Sequence, residues 1–553
     1  MTTTTSGGLG RASALLASGT IVSRLLGFVS AWVLVQAIGS VGAGSNTFAI
    51  ANQLPNSVYA IIAGGLLSAV LVPQIVRAGL HDDGGQRFLN RLVTLGLTVF
   101  VVIAVIATLA APWLVSITTR EATPTSPGLS PDDIALATAF AYWCLPQVLF
   151  YAIYSLLGEV LNARKIFGPF TWTPVLNNLV AIAGMIVFII VFGGDPAHRD
   201  SVTWTPAMTA LLAGTATLGI AVQGLSLFFF WRRAGLTYRP DFHWRGVGLG
   251  ATGKAAAWVF GMILVTQLAG IVQTNVASGA ASTNYPSARV LSNSWLIFML
   301  PHSIVAVSIA TAYFTRMSSH ARDGNLTEVR ADFSASLRSI GLFMVFCAVG
   351  LVVLAYPFSS LLSPLGAPFG EIEAMAFVVM AFLVGLVPFS ILFVIQRTFY
   401  SVENTRTPFF LQLLQSVIFV VGALAVGAWF APQWIGVGIA AVTAIAGSVQ
   451  ALVAAFALRG RLGSIDGRRI LRQYATFFLA ALPAAGAGVA LLFALGGTHP
   501  GGFAVAGAVP AALSMALIGG VMAIVYFGLL VLMRNPELGA IVRPVVLRLR
   551  RRG

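Results

Sequence analysis

Two arginines sit where a cation is expensive. Arg24 falls in "IVSRLLGFVSAWVLVQ" (Ile21–Gln36), whose other residues are apolar, small or weakly polar. It lies about a dozen residues into an apolar run that starts near Ala12. At about 1.5 Å per helical residue that is roughly 18 Å deep, too deep for the side chain to snorkel cheaply to water. Arg289 follows "NYPSA" at the outer start of the eighth apolar segment. A guanidinium presents a planar fork that engages two phosphate oxygens at once. An unpaired arginine facing lipid costs several kcal/mol. No acid lies close to Arg24 in sequence, so its partner is backbone carbonyls, water or a group brought from outside. A buried cation without a built-in anion suits a transported anion; an arginine satisfied by carbonyls alone is the plainer alternative.

Other chemistry-bearing residues are sparse. Glu159 is the one acid inside an apolar segment, close to Arg164 and Lys165, with which it is expected to pair. Proton- or sodium-coupled antiporters generally need a carboxylate deep in the membrane, and none stands there. Uncharged amides take the place of acids. Most are expected to be interhelical glue at about 0.6 kcal/mol each. Those in the first, second, seventh and eighth segments are candidates for a wet lining. Asn46, Asn52, Gln53, Gln273 and Asn275 are therefore taken as substrate contacts beside Arg24 and Arg289. No catalytic constellation and no metal-spaced cluster appears. The six histidines are scattered, with His302 expected to be a packing residue. "GATGK" (250–254) is too short for a phosphate-binding loop. Cys144 and Cys347 lie in apolar runs and read as buried thiols.

Such residues need a membrane scaffold. Of 553 residues 58% are hydrophobic and 9% charged, with mean hydropathy +0.89. A soluble domain is nearer a quarter charged, so the chain is a polytopic membrane protein. Residues 1–10 lack the basic start of a cleavable signal peptide. Fourteen segments, from about 12–38 to about 507–533, have the roughly 20 apolar residues a spanning helix requires. The connections alternate in charge. Of the 32 lysines and arginines, all but Arg24, Arg289, Arg120 and Arg199 fall on one side. The positive-inside rule makes that side cytoplasmic and puts both termini there. The net charge of +15 is thereby explained without nucleic acid.

The chain also echoes itself. Pro55 and Pro301, Pro146 and Pro388, and Pro169 and Pro408 pair at an offset of about 240 residues, six segments apart. That spacing predicts two six-helix lobes related by a parallel repeat, at 12–233 and 248–460. A two-helix appendage (470–534) and a basic tail (535–553) follow. The prolines are expected to break helices at matching places. Pro55 with Gly64 and Gly65, and Pro301 in "MLPHSIV", are the candidate hinges.

Several stretches carry a resemblance. "SRLLGFV", "SNTFAIANQLPN" and "LLSAVLVPQ" resemble the first two helices of the MurJ (MviN) lipid II flippases. "LNARKIFGPFTWTPVLNNL" and "RTFYSVENTRTPF" resemble the ends of helices four and ten. The family belongs to the multidrug/oligosaccharidyl-lipid/polysaccharide exporter superfamily. The resemblance implies two lobes around a central cavity, with the last two helices forming a groove for a lipid tail. It also implies that Arg24 and Arg289 handle a lipid-linked diphosphate. This chain departs where relatives often carry charge: Ser30 and Ala31 replace an Arg-Asp pair, and Asn46 an Asp. Tyr59 and Ala60 replace arginines, and Gly64 a Glu. The acids of a seventh-helix sodium site are absent.

The combined reading is an all-α bacterial inner-membrane flippase, not an enzyme. It would move undecaprenyl-diphosphate-linked lipid II outward by alternating access for peptidoglycan synthesis. It calls for no cofactor, with the membrane potential or an ion as the source of coupling. Its partners are the anionic lipid, the membrane, and cell-wall synthesis or division proteins. The rivals are a flippase for another polyprenyl-linked saccharide, a multidrug exporter of the same superfamily, a membrane transferase, and a non-transporting scaffold for division proteins.

Overall fold

The computed structural model describes residues 6–66, 85–124, 127–164, 166, 168–233, 235–243 and 253–540. Among them, regular structure is helical apart from one isolated bridge between Glu121 and Leu129. The first half of the chain forms α1 (Ser6–Ile38), α2 (Ala43–Leu66), α3 (Gln86–Leu109), α4 (Ala111–Thr118), α5 (Pro131–Cys144), α6 (Gln147–Ala163), α7 (Gly168–Phe192), α8 (Pro206–Arg233) and α9 (Gly253–Ser278). Next come α10 (Ala288–Pro301), a π turn (His302–Ala306), α11 (Val307–Arg322), α12 (Leu326–Val353), α13 (Ala355–Leu361), α14 (Phe369–Leu383) and α15 (Leu386–Ser401). Last are α16 (Arg406–Trp429), α17 (Pro432–Leu462), α18 (Gly467–Ala494) and α19 (Ala508–Leu532).

Thirteen of the fourteen expected spans are long and apolar enough to cross a bilayer. The fourteenth is α2, whose described part carries Asn46, Asn52, Gln53, Pro55 and Asn56 and is too polar to qualify by composition. Residues 67–76 of that segment, Lys165, and the basic tail beyond Ala540 lie outside the described residues.

Local chemistry sets the helix ends. Ser130 caps α5 reciprocally: its hydroxyl accepts from the Asp133 N–H at 3.1 Å, and its own N–H donates to the Asp133 carboxylate at 2.9 Å, satisfying two orphan donors. Pro131 fills the first helical position, where a missing N–H costs nothing. Asn325 caps α12 in the same sense, accepting from the Glu328 N–H at 3.2 Å.

The repeat is visible in the backbone. The break between α3 and α4 falls at Ala110 (φ −85°, ψ 8°), just before Pro112. That between α12 and α13 falls at Leu354 (φ −87°, ψ 7°), just before Pro357. Leu145, before Pro146, has φ −57° and ψ −31°; Val384, shortly before Pro388, has φ −55° and ψ −34°. Each lobe thus carries the same two interruptions in the same order. Pro169 and Pro408 sit in the first turns of α7 and α16 rather than at breaks. The last pair diverges. Pro301 ends α10 and leads into the π turn, but Pro55 lies inside an uninterrupted α2, with Gly64 and Gly65 in the same helix. The expected break at Pro55 does not occur. A proline removes one backbone bond, and α2 is held on three sides by α5, α6 and α9.

The described chain forms two compact units, Met1–Arg289 and Val290–Gly553. The lobes drawn on the repeat follow sequence symmetry. Compactness instead groups α9 with the first unit, because α9 packs on α2 and α4. Within that unit α7 lies against both α1 and α8. Small residues allow the approach: a Cβ on Gly184 would come within 2.4 Å of the Thr215 side chain, and one on Gly219 within 2.4 Å of the Asn177 Oδ1. Close backbone packing of this kind substitutes in lipid for the missing hydrophobic drive. The loop before α9 folds back on α3, where Asp241 meets Arg91 at 3.0 Å. The His243 backbone and ring and the Arg91 guanidinium hold the Asp241 carboxyl down to about 2.

In the second unit α12 is the central post, packed by α11, α15 and α18. Two tyrosines from the C-terminal pair reach its backbone: Tyr474 donates to the Leu337 carbonyl at 3.0 Å and Tyr526 to the Leu342 carbonyl at 2.8 Å. Arg338, 7% exposed, pairs with Glu537 at 2.5 Å. The two-helix appendage is therefore bolted to the unit.

Candidate functional site

The site grows from the turn between α1 and α2. Gly39 (φ 80°) and Gly42 (φ 88°) reverse the chain there in a conformation open to glycine. The Gly42 N–H donates to the Thr283 carbonyl at 3.2 Å, tying this turn to the segment between α9 and α10. Asn46, fully buried, completes the tie. Its amide nitrogen donates to the Gly42 carbonyl at 2.8 Å and the Ala281 carbonyl at 3.0 Å. Its amide oxygen accepts from the Arg289 N–H at 2.9 Å. Both ends of the side chain are thus occupied by backbone, and what Asn46 fixes is the position of Arg289.

Arg289 is 6% exposed. Its guanidinium carbon stands 5.7 Å from the centre of the Phe48 ring, a cation–π contact worth about 0.5–2 kcal/mol. Its Nε is buried and makes no hydrogen bond among the described residues, and no ion pair to it occurs among them. One turn along α10, the Asn293 amide nitrogen and the Ser294 hydroxyl are buried and likewise unpartnered among the described residues. Buried polar groups are nearly always satisfied. The open Arg289 Nε is a donor that the first unit can offer to a ligand's acceptor.

The surrounding collar is backbone held by side chains. Asn275 donates to the Thr119 carbonyl at 2.8 Å, and the Ser278 hydroxyl accepts the Arg120 N–H at 2.7 Å. Ser282 donates to the Gly128 carbonyl at 2.9 Å, and Ser287 to the Ala277 carbonyl at 2.7 Å. Asn275 thus anchors the loop between α4 and α5. Gln273, two residues earlier, is half-buried and makes no hydrogen bond among the described residues. Asn52 belongs elsewhere: it accepts from Gln147 at 3.2 Å, and Gln147 donates also to Thr217 at 2.9 Å. This network spans α2, α6 and α8 beside the Pro146 break. Gln53, the next residue, is exposed.

Arg24 stands on an exposed face of α1, without a hydrogen bond or ion pair among the described residues. Close to Arg24, α1 is held by α7. Asn178 of α7 donates to the Ser23 carbonyl at 3.1 Å, and a Cβ on Gly27 would be 4.0 Å from the Asn178 Oδ1. Glu159 makes no ion pair among the described residues; Lys165, one of its two expected partners, lies outside them. The structure therefore joins Asn46 to Arg289, and sets Asn52, Asn275 and Arg24 in separate surroundings. Phe48 carries no signal in the sequence. Nothing in an aromatic two residues after Asn46 signals that it will lie under an arginine some 240 positions away.

Comparison with known proteins bears on what these open cations serve. The model of the lipid II flippase MurJ family matches residues 34–509.

The chain belongs to that family.

The match begins ten residues after Arg24 and takes in Arg289. Among curated relatives, a probable lipid II flippase MurJ of Haemophilus influenzae is 26% identical over 483 residues, covering 84% of this chain and 88% of its own length. One of Vibrio cholerae is 25% identical, covering 85% of each chain. Among solved structures, a lipid II flippase MurJ in an inward closed conformation aligns with TM-score 0.67 at 18% identity, over 94% of this chain and 100% of its own. An inward-facing multidrug resistance MATE family transporter of the MOP superfamily aligns with TM-score 0.60 at 15% identity, over 80% of this chain. At those identities the structural likeness speaks for the fold, shared between the flippase family and its superfamily neighbours.

Proposed function

We infer that this chain moves lipid II from the inner to the outer leaflet of the bacterial cytoplasmic membrane by alternating access. The observation that carries this reading is the family match together with a buried arginine, Arg289, that no acid neutralises among the described residues. An anionic headgroup supplies the missing charge. Arg24, well down α1, and Arg289, beside the turn that follows it, meet the diphosphate at different stages of its crossing, each offering a fork to two oxygens. Asn46 positions Arg289. Gln53 and Gln273, whose amides make no hydrogen bond among the described residues, face sugar or peptide. The exposed apolar face of α18 and α19, with Leu479, Leu482, Leu513 and Ile524, runs beside the lipid tail. The π turn after Pro301 and the paired breaks are where rocking bends the chain. An inside-negative potential favours outward movement of an anion by about 2.3 kcal/mol per charge per 100 mV.

The test is depletion of the protein in growing cells. Lipid II is expected to accumulate in the inner leaflet while its outward exposure falls. Accumulation of a different polyprenyl-linked saccharide, or drug sensitivity with normal wall synthesis, would overturn the assignment. The second of these outcomes would favour the multidrug reading that the MATE fold likeness suggests. Cell-wall synthesis and division enzymes are the protein partners this activity calls for.

The charge alternation orients the chain with both termini in the cytoplasm. A single cysteine in place of the exposed His499, between α18 and α19, should react with an impermeant reagent added to intact cells. One in place of the exposed Arg461 should react only after lysis. The opposite pattern would invert the topology.

A further inference from the structure

The second unit holds a cavity that the transport reading does not use. It measures about 520 Å³ and lies among the arginine-rich ends of α11 and α12 and the turn between α17 and α18. That size suits a small ligand or headgroup. Most of its charges are matched. Arg316 pairs with Asp332 at 2.7 Å. Arg338 pairs with Glu537 at 2.5 Å and lies 3.6 Å from Asp466, which also accepts from Ser334 at 2.6 Å. Two guanidiniums in the wall are left over. The Arg330 Nε is buried without a hydrogen-bond partner among the described residues. Arg469, exposed at the rim, makes no hydrogen bond or ion pair among them. The third acid of the wall, Glu328, is exposed and forms no ion pair among them either.

The positions argue against chance solvation. Arg330 is half-buried at the start of α12, and Gly463 approaches it so closely that a Cβ there would be 3.4 Å from the Arg330 Nη2. Asp466 (φ 53°), beginning α18, holds the backbone that presents Arg469 one turn on. Two forked cations from different helices facing one headgroup-sized space match the geometry of a phosphate with several free oxygens. Basic pockets between helices on the cytoplasmic side of membrane proteins suit lipid headgroups in particular.

We propose that this cavity binds a phosphate group through Arg330 and Arg469, supplied either by an anionic lipid headgroup or by a soluble phosphate compound. Its occupant would clasp α11, α12 and α18 together, and so brace the C-terminal helix pair. The proposal uses none of the residues assigned above to the transported lipid, so it stands or falls separately from that assignment.

The test is thermal unfolding of the purified full chain in detergent. Two probes are used: sodium pyrophosphate, and phosphatidylglycerol in mixed micelles, with phosphatidylcholine and matched sodium chloride as controls. At least one probe is expected to raise the midpoint by about 3 °C near saturation. The double variant Arg330→Gln/Arg469→Gln should lose that shift. A response to phosphatidylglycerol alone identifies a headgroup site, and a response to pyrophosphate alone a soluble ligand. Unchanged midpoints with both probes, or a shift that survives in the double variant, overturn the proposal. Should the double variant melt low by itself, Arg469→Gln alone decides, because that side chain is exposed and unpaired among the described residues. It must lose most of the shift.

Discussion

Replacing Arg289 by methionine should reduce lipid transport about a hundredfold or more while leaving the empty protein as stable as before, or slightly more so. The two halves of this expectation come from different magnitudes. Losing a desolvated charge-assisted contact to a diphosphate costs about 2–5 kcal/mol of binding, and each 1.4 kcal/mol is about tenfold. In the empty protein the balance reverses. The cation–π contact with Phe48 returns about 0.5–2 kcal/mol, less than the several kcal/mol that an unpaired buried charge costs. Methionine fills much of the volume and keeps the Asn46 contact, which is made by the backbone N–H. Arg289→Lys should recover little, since an ammonium cannot engage two oxygens as a fork. Transport into proteoliposomes and melting in detergent, measured on the same preparations, settle the matter. Full activity of Arg289→Met would remove the arginine from the substrate site. A large drop in melting temperature would make it a packing residue.

Replacing Arg338 by alanine should be far more damaging to stability, by about 3–5 kcal/mol. The side chain of its partner Glu537 is only 12% exposed, so truncation leaves a carboxylate buried without a counter-charge. Asp466, whose side chain is 41% exposed, can return to water. A paired replacement, Arg338→Met with Glu537→Leu, should restore most of the loss, because removing both members of a buried pair is often close to neutral. If the single and double variants melt alike, the ion pair is not what joins the C-terminal helices to α12.

How much of this was legible in the chain differs from residue to residue. The spans were, because fourteen apolar runs separated by alternating charge leave little freedom once lipid demands satisfied backbones. The break beside Pro146 was, because proline marks it directly. The matching breaks at Ala110 and Leu354 were missed, although Pro112 and Pro357 stand two and three residues downstream. Proline inside α2 misled for the opposite reason: packing on three sides outweighed the loss of one backbone bond. Arg24 and Arg289 stand out in the sequence by the cost of a membrane-embedded cation alone, and their role in binding is the proposal made above. Asn46 was read as touching the substrate, and its amide is instead consumed by two carbonyls and an N–H. That role depends on which backbone groups the fold brings near, and sequence spacing says nothing of it. The leftover guanidiniums near α18 were counted in the sequence only as cytoplasmic charge. That they are left over among the described residues emerges only when the pairs around them are formed.

The bond between Arg338 and Glu537 closes a separation of 199 residues, and that sets a schedule for biosynthesis. At about 5–20 residues per second, the ribosome delivers Glu537 roughly 10–40 s after Arg338. Through that interval α12 has its arginine uncovered and the positions for Tyr474 and Tyr526 empty. The C-terminal half therefore cannot mature helix by helix in the order of its synthesis. It is finished last, when the final pair arrives and docks on a helix made long before. A message cut short after Gly463 would then yield a chain exposed to quality-control proteases rather than a smaller working transporter.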